Sequence, residues 1–548
     1  MLVGTSDAGA DSSSQNFIRG DQQRLIESQQ QRLQQLQQLQ SEGEALPASK
    51  TQGDTRCFPV DSIKVEHVTI LDESTLQRLV RPFSGSCMMV DDLNELLRRV
   101  TQAYIDKGYV TTRAYLPQQE LSKGILRVVV VEGHIEAIES QDGGLSAQEL
   151  SMASPVTAGE ALNLRDLEQL VDQLNRLPSN QASMELVPGG LEGGSRVQVS
   201  NDRQKPWRLS LGRDNDGSEG TGEQQWRLGV EWDSPLGLAD QVVARLGSDA
   251  NSQPATGSDN HYFSYRLPYG FWNFSYSYTG SDYRSLAEAN GFTFTLEGSS
   301  ERHQLRAERL LARDSMSKTS VSLELGRLST RNYIDGSRIE VSSQQLSELA
   351  IGLNHGRRIG RGFLNVDIGW EKGLTIFGAQ MDRDQPSGAP EAQYDKGTLT
   401  LSYQRPFMLN QENLSFSSLL NGQWSKDVLF SPERLSLGGR YSVRGFKSQS
   451  LSGDRGGYWR NQLSWQRPLD LARPLLKSME LTMAYDVGKI YRGAYNPELN
   501  GTLSGIALGL GLSGDHVKAN ISIARSLKRP DVFERPETPV YFSVAASF

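Results

Sequence analysis

Among the 548 residues of this chain, Arg444 and Asp486 have the types and spacing best suited to joint chemistry. Arg444 stands in Leu437-Gly-Gly-Arg440-Tyr-Ser-Val443-Arg444-Gly445-Phe446, between two segments of alternating apolar and polar residues. Further on, Met479-Glu-Leu-Thr-Met-Ala-Tyr-Asp486-Val-Gly488 reads as a strand. Met479, Leu481, Met483, Tyr485 and Val487 share one face, and Glu480, Thr482, Ala484, Asp486 and Gly488 share the other. The chemistry on offer is recognition. A guanidinium is a planar five-donor fork, and a carboxylate accepts two parallel N–H bonds from it. A loop folded back into a wet lumen needs such an anchor, with Gly445 allowing a tight turn and Phe446 packing beside it. A buried-sheet enzyme has no evident use for one.

No reacting constellation competes with this pair. The sequence has no P-loop, no His/Cys metal spacing and no nucleophile elbow around a serine. Its histidines (67, 134, 261, 303, 355 and 516) are scattered. Asp91-Asp92 reads as a helix start complementing the dipole, and Asp367 and Glu371 as carboxylates solvating a pore. No catalytic residue, metal or cofactor is therefore expected; an embedded outer-membrane hydrolase is the enzyme alternative.

The elements that must position the pair follow from patterning. The length calls for two or more domains. A net charge of -8 argues against a nucleic-acid partner. Mean hydropathy is -0.48, and no run of 18 or more apolar residues occurs, which excludes helical membrane spans but not a β-barrel. All eight tryptophans lie at or after Trp207 and both cysteines before it, so a boundary is expected near Pro206.

From Trp207 to Phe548, sixteen candidate strands begin near residues 207, 224, 241, 260, 271, 301, 318, 343, 361, 396, 412, 456, 478, 502, 517 and 538. Connections after even-numbered strands read as brief, and those after odd-numbered strands as long, the organisation of an outer-membrane barrel. Ile506, Leu508, Leu510 and Leu512 alternate with Gly505, Ala507, Gly509 and Gly511, apolar outside and small inside. The chain ends with Phe542, Val544, Ala546 and Phe548 at alternate positions.

Before the barrel, residues 57–132 and 133–205 repeat a βαβ-like pattern. Leu93, Leu96, Leu97, Val100 and Tyr104 form the helical stripe of the first unit, and Leu164, Leu167, Leu170, Val171, Leu174 and Leu177 that of the second. Cys57 and Cys87 form an isolated pair, expected as a disulfide, with free thiols the alternative. Residues 15–40 are glutamine-rich and helix-favouring. Coiled coil, disordered tail and pore plug are the open readings. Residues 41–56 read as a linker and 1–14 as a flexible start without a visible signal peptide, as expected of a processed or engineered N-terminus.

Val443-Arg444-Gly445-Phe446 with its strand aspartate, and Tyr104-Ile-Asp-Lys-Gly-Tyr-Val-Thr-Thr-Arg-Ala-Tyr115 followed by Gly124-Ile-Leu-Arg-Val-Val-Val-Val-Glu-Gly133, carry a family resemblance. The chain resembles the two-partner secretion transporters (TpsB) of the Omp85 superfamily, over nearly its whole length. The resemblance implies α+β POTRA repeats, a transmembrane barrel of 16 antiparallel strands, and the 15–40 helix as a plug. It also implies that the Val443–Phe446 tip pairs with Asp486 in the lumen. The expected location is the outer membrane of a Gram-negative bacterium, with the POTRA units in the periplasm. Expected partners are a large secreted exoprotein (an adhesin, haemolysin or contact-dependent toxin), outer-membrane lipid, and the barrel-assembly machinery reading the Phe542–Phe548 strand. A monomer working without nucleotide hydrolysis is expected. A barrel-assembly insertase and a general porin are the alternatives.

Overall fold

In lipid no backbone polar group can go unpaired, so alternating strands must close on themselves. The computed structural model shows that closure; it describes residues 12–37, 57–250, 255–289, 291–383, 386, 388–469, 476–493, 500–533 and 535–548. The first eight barrel strands are Trp207–Asp214, Gln225–Asp233, Gln241–Asp249, Gly257–Tyr269, Trp272–Ala289, Phe292–Arg313, Ser317–Ile334 and Gln344–Ile359. The ninth to sixteenth are Gly362–Leu374, Asp395–Leu409, Glu412–Ser425, Gly456–Pro468, Ser478–Ile490, Gly501–Ser513, Val517–Lys528 and Val540–Ser547. Each pairs antiparallel with its neighbour, and the sixteenth returns to the first from Ser543 opposite Asp214 to Ser547 opposite Ser210. A two-residue strand, Ser337–Arg338, folds onto the seventh.

One sequence expectation is corrected. The sixth strand starts at Phe292, not near Glu301, and the fifth runs to Ala289. Residues assigned to a long outer loop there are instead a hairpin, paired as far as Ala289 opposite Phe292. Residues 279–289 and 292–300, with Tyr283, Phe292, Thr293, Phe294 and Thr295 among them, keep their ladder bonds, because two strands continuing together leave fewer backbone groups to water than an open loop.

The two N-terminal units each fold helices over a three-stranded sheet. In the first, Ser62–Glu66, Ile125–Val131 and Arg113–Tyr115 lie in that order, covered by Val90–Asp106. The carboxylate of Asp92 accepts the Met89 N–H at 2.8 Å and satisfies the helix start. In the second, the order is His134–Ser140, Gly194–Asn201 and Ala182–Pro188, covered by Ala147–Ala153 and Leu164–Asn175. Leu167, Leu170 and Leu174 are fully buried in that core. Cys57 and Cys87 are disulfide-bonded with Cα atoms 5.3 Å apart; Cys57 directly precedes Phe58–Val60, and Cys87 lies within Ser86–Met88, the strand paired antiparallel with it. A loop of this length adds about 3 kcal/mol on the chain-entropy model. The N-terminal helix runs Ser12–Gln37. Residues 12–14, expected in the flexible start at 1–14, are helical instead; the linker expected at 41–56, the rest of the start (1–11) and the helix end at 38–40 lie outside the described residues.

The second unit is fastened to the short turns of the barrel. Gly270 N–H donates to the Met152 carbonyl at 2.9 Å, and Gln173 returns a bond to the Gly270 carbonyl at 2.9 Å. Arg313 and Lys318 both bind Asp172. Ser234 donates its hydroxyl to Glu149 at 2.6 Å, and Arg203 bonds the same carboxylate at 3.2 Å. Burial alone would raise the Glu149 carboxyl, but the Ser146 N–H, Ser234 and Arg203 outweigh it and hold the group below the ordinary glutamate range. A depressed carboxyl stabilises the joint above its unfolded value of about 4.3 and ceases to do so as pH falls through the folded value. We therefore expect Ser146–Ala153 to lose hydrogen-exchange protection, corrected for intrinsic rate, only as pH drops below about 4. Glu149→Gln should weaken protection at neutral pH and remove that pH dependence.

Candidate functional site

The loop between the eleventh and twelfth strands, residues 426–455, turns inward and makes its own hairpin, with Leu435–Leu437 antiparallel to Leu451–Gly453. Its apolar side chains are the reason it stays. Leu437, Val443, Phe446 and Leu451 are completely buried against Tyr458, Ile490 and Leu503 of the barrel wall. Phe446 also meets Phe533 of the last outer loop, ring centres 6.1 Å apart.

Arg444 is held at the tip. Its Nε donates to Asp486 Oδ2 at 2.6 Å and its Nη2 to Oδ1 at 2.8 Å, a fork on a carboxylate only 1 % exposed. The Arg444 backbone N–H adds a third bond to Oδ2 at 3.0 Å, and Nη1 reaches Gln462 Oε1 at 2.8 Å. Gly445 has φ +106°, and a Cβ there would lie 2.8 Å from the Arg525 backbone. On the facing wall a Cβ at Gly505 would lie 1.8 Å from the Arg444 carbonyl oxygen. Close approach thus dictates glycine on both sides. Three consecutive N–H groups, of Lys447, Ser448 and Gln449, converge on the Glu537 carboxylate at 2.6–3.0 Å.

The N-terminal helix crosses the same lumen. Arg227 and Arg245, on the second and third strands, bond Gln23 and Glu27, each at 2.9 Å. At the opposite wall Gln29 donates to Asp367 at 2.7 Å and accepts from Asn365 at 3.0 Å and Ser402 at 2.7 Å. Leu33 and Leu36 pack on Phe363. Gln22 donates to the Ser436 carbonyl at 2.7 Å, so helix and loop touch. A cavity of about 670 Å³ remains beside the helix, lined by Arg24, Glu27, Arg227 and Arg245 among others and running from the sixteenth strand to the fifth.

A barrel closed on a folded-in loop, with a helix across it and two α+β units beneath, matches known proteins along its length. The family model described as haemolysin secretion/activation protein ShlB/FhaC/HecB matches residues 193–512, and two POTRA models match 58–133 and 134–188. The chain belongs to this family. It is 33% identical over 504 residues to "Outer membrane transporter CdiB" of Escherichia coli, covering 92% of this chain and 85% of that protein. It is 31% identical to "Hemolysin transporter protein ShlB" of Serratia marcescens, over 91% and 87%. The solved structure of CdiB from Escherichia coli superposes with TM-score 0.93 at 32% identity, covering 99% of this chain and 100% of that one. The chain is thus an outer-membrane transporter of two-partner secretion, with its POTRA units in the periplasm, and nothing in these likenesses favours a barrel-assembly insertase.

The residues singled out in sequence fall into three places. Val443, Arg444, Gly445, Phe446 and Asp486 meet at the loop tip. Cys57 and Cys87 lie in the first POTRA unit. Phe542, Val544 and Ala546 lie on the sixteenth strand and Phe548 directly follows it, its N–H donating to the Leu209 carbonyl at 2.9 Å and its ring stacking on His516.

Sequence reading missed the anchor at the loop base. Glu433 accepts from Arg302 at 2.5 Å and from Lys396 at 2.8 Å. Lys396 also binds Glu371 at 2.7 Å, and Tyr394 donates to Glu348 at 2.8 Å. Glu348, Glu371 and Glu433 converge as metal ligands could, but their positive partners are Lys396 and Arg302, and we assign no metal there. Arg302 also bonds Asp21 at 3.2 Å, tying the helix to the loop base. The expectation that Asp367 and Glu371 merely solvate the pore is corrected: one holds the helix and the other the Lys396 ammonium. The only available signal was their inward parity, which does not name partners on distant strands.

An α-helix with side chains is roughly 10–12 Å across and fills much of this lumen. Deleting residues 1–50 should raise single-channel conductance several-fold in planar bilayers; unchanged conductance would show that the helix does not obstruct the pore.

Proposed function

We propose that the chain captures a large unfolded exoprotein in the periplasm and passes it through the barrel without nucleotide hydrolysis. In this reading the Val443–Phe446 tip and Asp486 gate the lumen and the N-terminal helix plugs it. The observation that carries the proposal is the Arg444 fork on Asp486: a soluble receptor has no lumen to gate, and a passive porin has no need of POTRA units. Adhesin, haemolysin and contact-dependent toxin remain the cargo classes to which the reading extends.

Capture is supported by an open sheet edge. His134–Ser140 pairs only with Gly194–Asn201, and beyond Ile135, bonded to Gly159 and Glu160, no strand among the described residues covers it. A groove of about 400 Å³ runs beside that edge, floored by Ile138, Leu145, Leu150 and Val156. An extended segment could add a strand there and set alternate apolar side chains into the groove. The groove's helix is the one bonded to Gly270, so a captured strand would lie at the barrel mouth.

Arg444→Ala leaves Asp486 buried without its cation, and removing one partner of a buried pair costs about 3–5 kcal/mol. Insertion should be normal, channel behaviour altered, and exoprotein secretion reduced at least tenfold. Asp486→Ala should do the same, and the double variant should be little worse than either. Normal secretion by either single variant would sink the gate, and strictly additive defects would separate the two residues.

The proposal includes recognition of the last strand by the barrel-assembly machinery. Removing Phe548, or replacing it with a charged residue, should reduce the amount of heat-modifiable folded barrel. Normal barrel levels with reduced secretion would assign the terminal strand to transport instead.

A further inference from the structure

The outward, apolar face of the fifteenth strand carries an arginine. Arg525 lies opposite Ile506, two residues above Ile523 and two below Leu527, and those three are exposed. Parity fixes its direction, since Ala524 and Ser526 on either side are buried and alternate residues of a strand face opposite ways. Above it, at the extracellular ends of the thirteenth and fifteenth strands, Lys489, Arg492, Lys528 and Arg529 are exposed. Lys489 Nζ sits 4.7 Å from the Tyr491 ring centre, and Arg529 Nε donates to the Phe533 carbonyl at 2.9 Å. Among the described residues none of these five cations has a carboxylate partner, and exposed Asp531 in the same rim pairs with none of them. In a chain of net charge -8, one sector of the rim thus carries, among the described residues, five exposed cations to one exposed carboxylate, Asp531.

A charged side chain on the lipid face is unfavourable in hydrocarbon, and the cost falls toward the interface. A long one reaches that interface by extending its stem. Exposed Trp424, Trp459 and Tyr485 on neighbouring strands mark the level of the outer girdle. What the cations meet at that level is the outer leaflet, whose glycolipid headgroups carry phosphate. We infer that Arg525, Lys489, Arg492, Lys528 and Arg529 form a docking surface for the phosphates of this glycolipid. Arg525 supplies a planar fork from below, Arg492 and Arg529 supply guanidinium groups from the rim, and Lys489 and Lys528 supply point charges. An acidic cargo segment is the less fitting occupant, because Arg525 and Lys489 face away from the lumen through which cargo passes. Lipid docked here would brace the strands behind the gate, since the Gly445 turn packs on the backbone of Arg525 itself.

The test uses the full chain in nanodiscs of phosphatidylethanolamine containing bisphosphorylated lipid A or its dephosphorylated form, with retained lipid counted by native mass spectrometry. The wild-type protein should retain the bisphosphorylated form at least fivefold better, and excess inorganic phosphate should not displace it. Arg525→Leu and the pair Lys489→Gln with Lys528→Gln should each lose most of that preference, with unchanged heat-modifiable mobility. Arg525→Lys should keep part of it. If Arg525→Leu does not fold, the rim pair alone decides. Equal retention of both lipids, or variants that keep the preference, would overturn the inference. Displacement by free phosphate would reassign the site to a soluble anion, and normal lipid retention with lost secretion would reassign it to cargo.

Discussion

Closure of the sheet is the constraint on which everything else in this molecule depends. A membrane strand cannot leave its backbone unpaired, so the sixteenth strand must return to the first. Once closed, the strand period of two sorts every residue to lipid or lumen. The inward set has to be polar or small, and it alone is available to hold anything placed inside. Arg227, Arg245, Arg302, Asp367, Ser402 and Asp486 are all members of it, and between them they hold the helix and the loop.

The loop is held by two kinds of force with different consequences. Burying Leu437, Val443, Phe446 and Leu451 supplies most of the affinity, at about 1.5–3 kcal/mol for each large side chain. The Arg444–Asp486 pair contributes less net stability, because taking both ions from water offsets much of their attraction. Its value is geometric. Three donors on one carboxylate, with glycine at 445 and 505, admit one placement of the tip. An apolar tip without the pair could slide in its pocket; one bearing it is either seated or out. That two-state character is what a gate requires.

Legibility in the sequence followed the range of the interaction. Alternation is local, so sixteen strands and the inward face of Asp486 could be read from neighbouring residues. The boundary of the sixth strand could not, because whether Phe292–Ser300 is ladder or loop depends on its partner strand. Arg444 was readable because glycines and an arginine stand out in a long loop. Glu433, Lys396 and Arg302 were not, since each is an ordinary charged residue until register brings strands six, nine and ten beside the loop base. Arg460 lies directly opposite Asp486, yet it donates to the Tyr441 carbonyl at 2.9 Å. Pairing in register therefore does not by itself name a partner.

The helix and the loop close one lumen but are not held equally. Of the ion pairs of the helix, Glu27–Arg245 is partly open to water, at 35% and 42% exposed at the side chain, while Asp21–Arg302 is sheltered on the Arg302 side only. A pair as open as the first contributes about 0–1 kcal/mol. Its apolar hold is limited to Phe17, Ile18, Leu33 and Leu36 on a 26-residue helix that is otherwise mostly polar. The loop has completely buried apolar side chains, a charge pair sheltered from water, and a covalent stem at both ends. A disturbance that weakens both, such as an extended chain entering from the POTRA mouth, therefore frees the helix first. Arg302 bonds both the helix and the loop base, yet the two releases are unequal. When Asp21 leaves with the helix, Arg302 loses one carboxylate. Glu433 keeps Arg302 as well as Lys396 when Asp21 goes, so the loop base stays anchored after the helix has left.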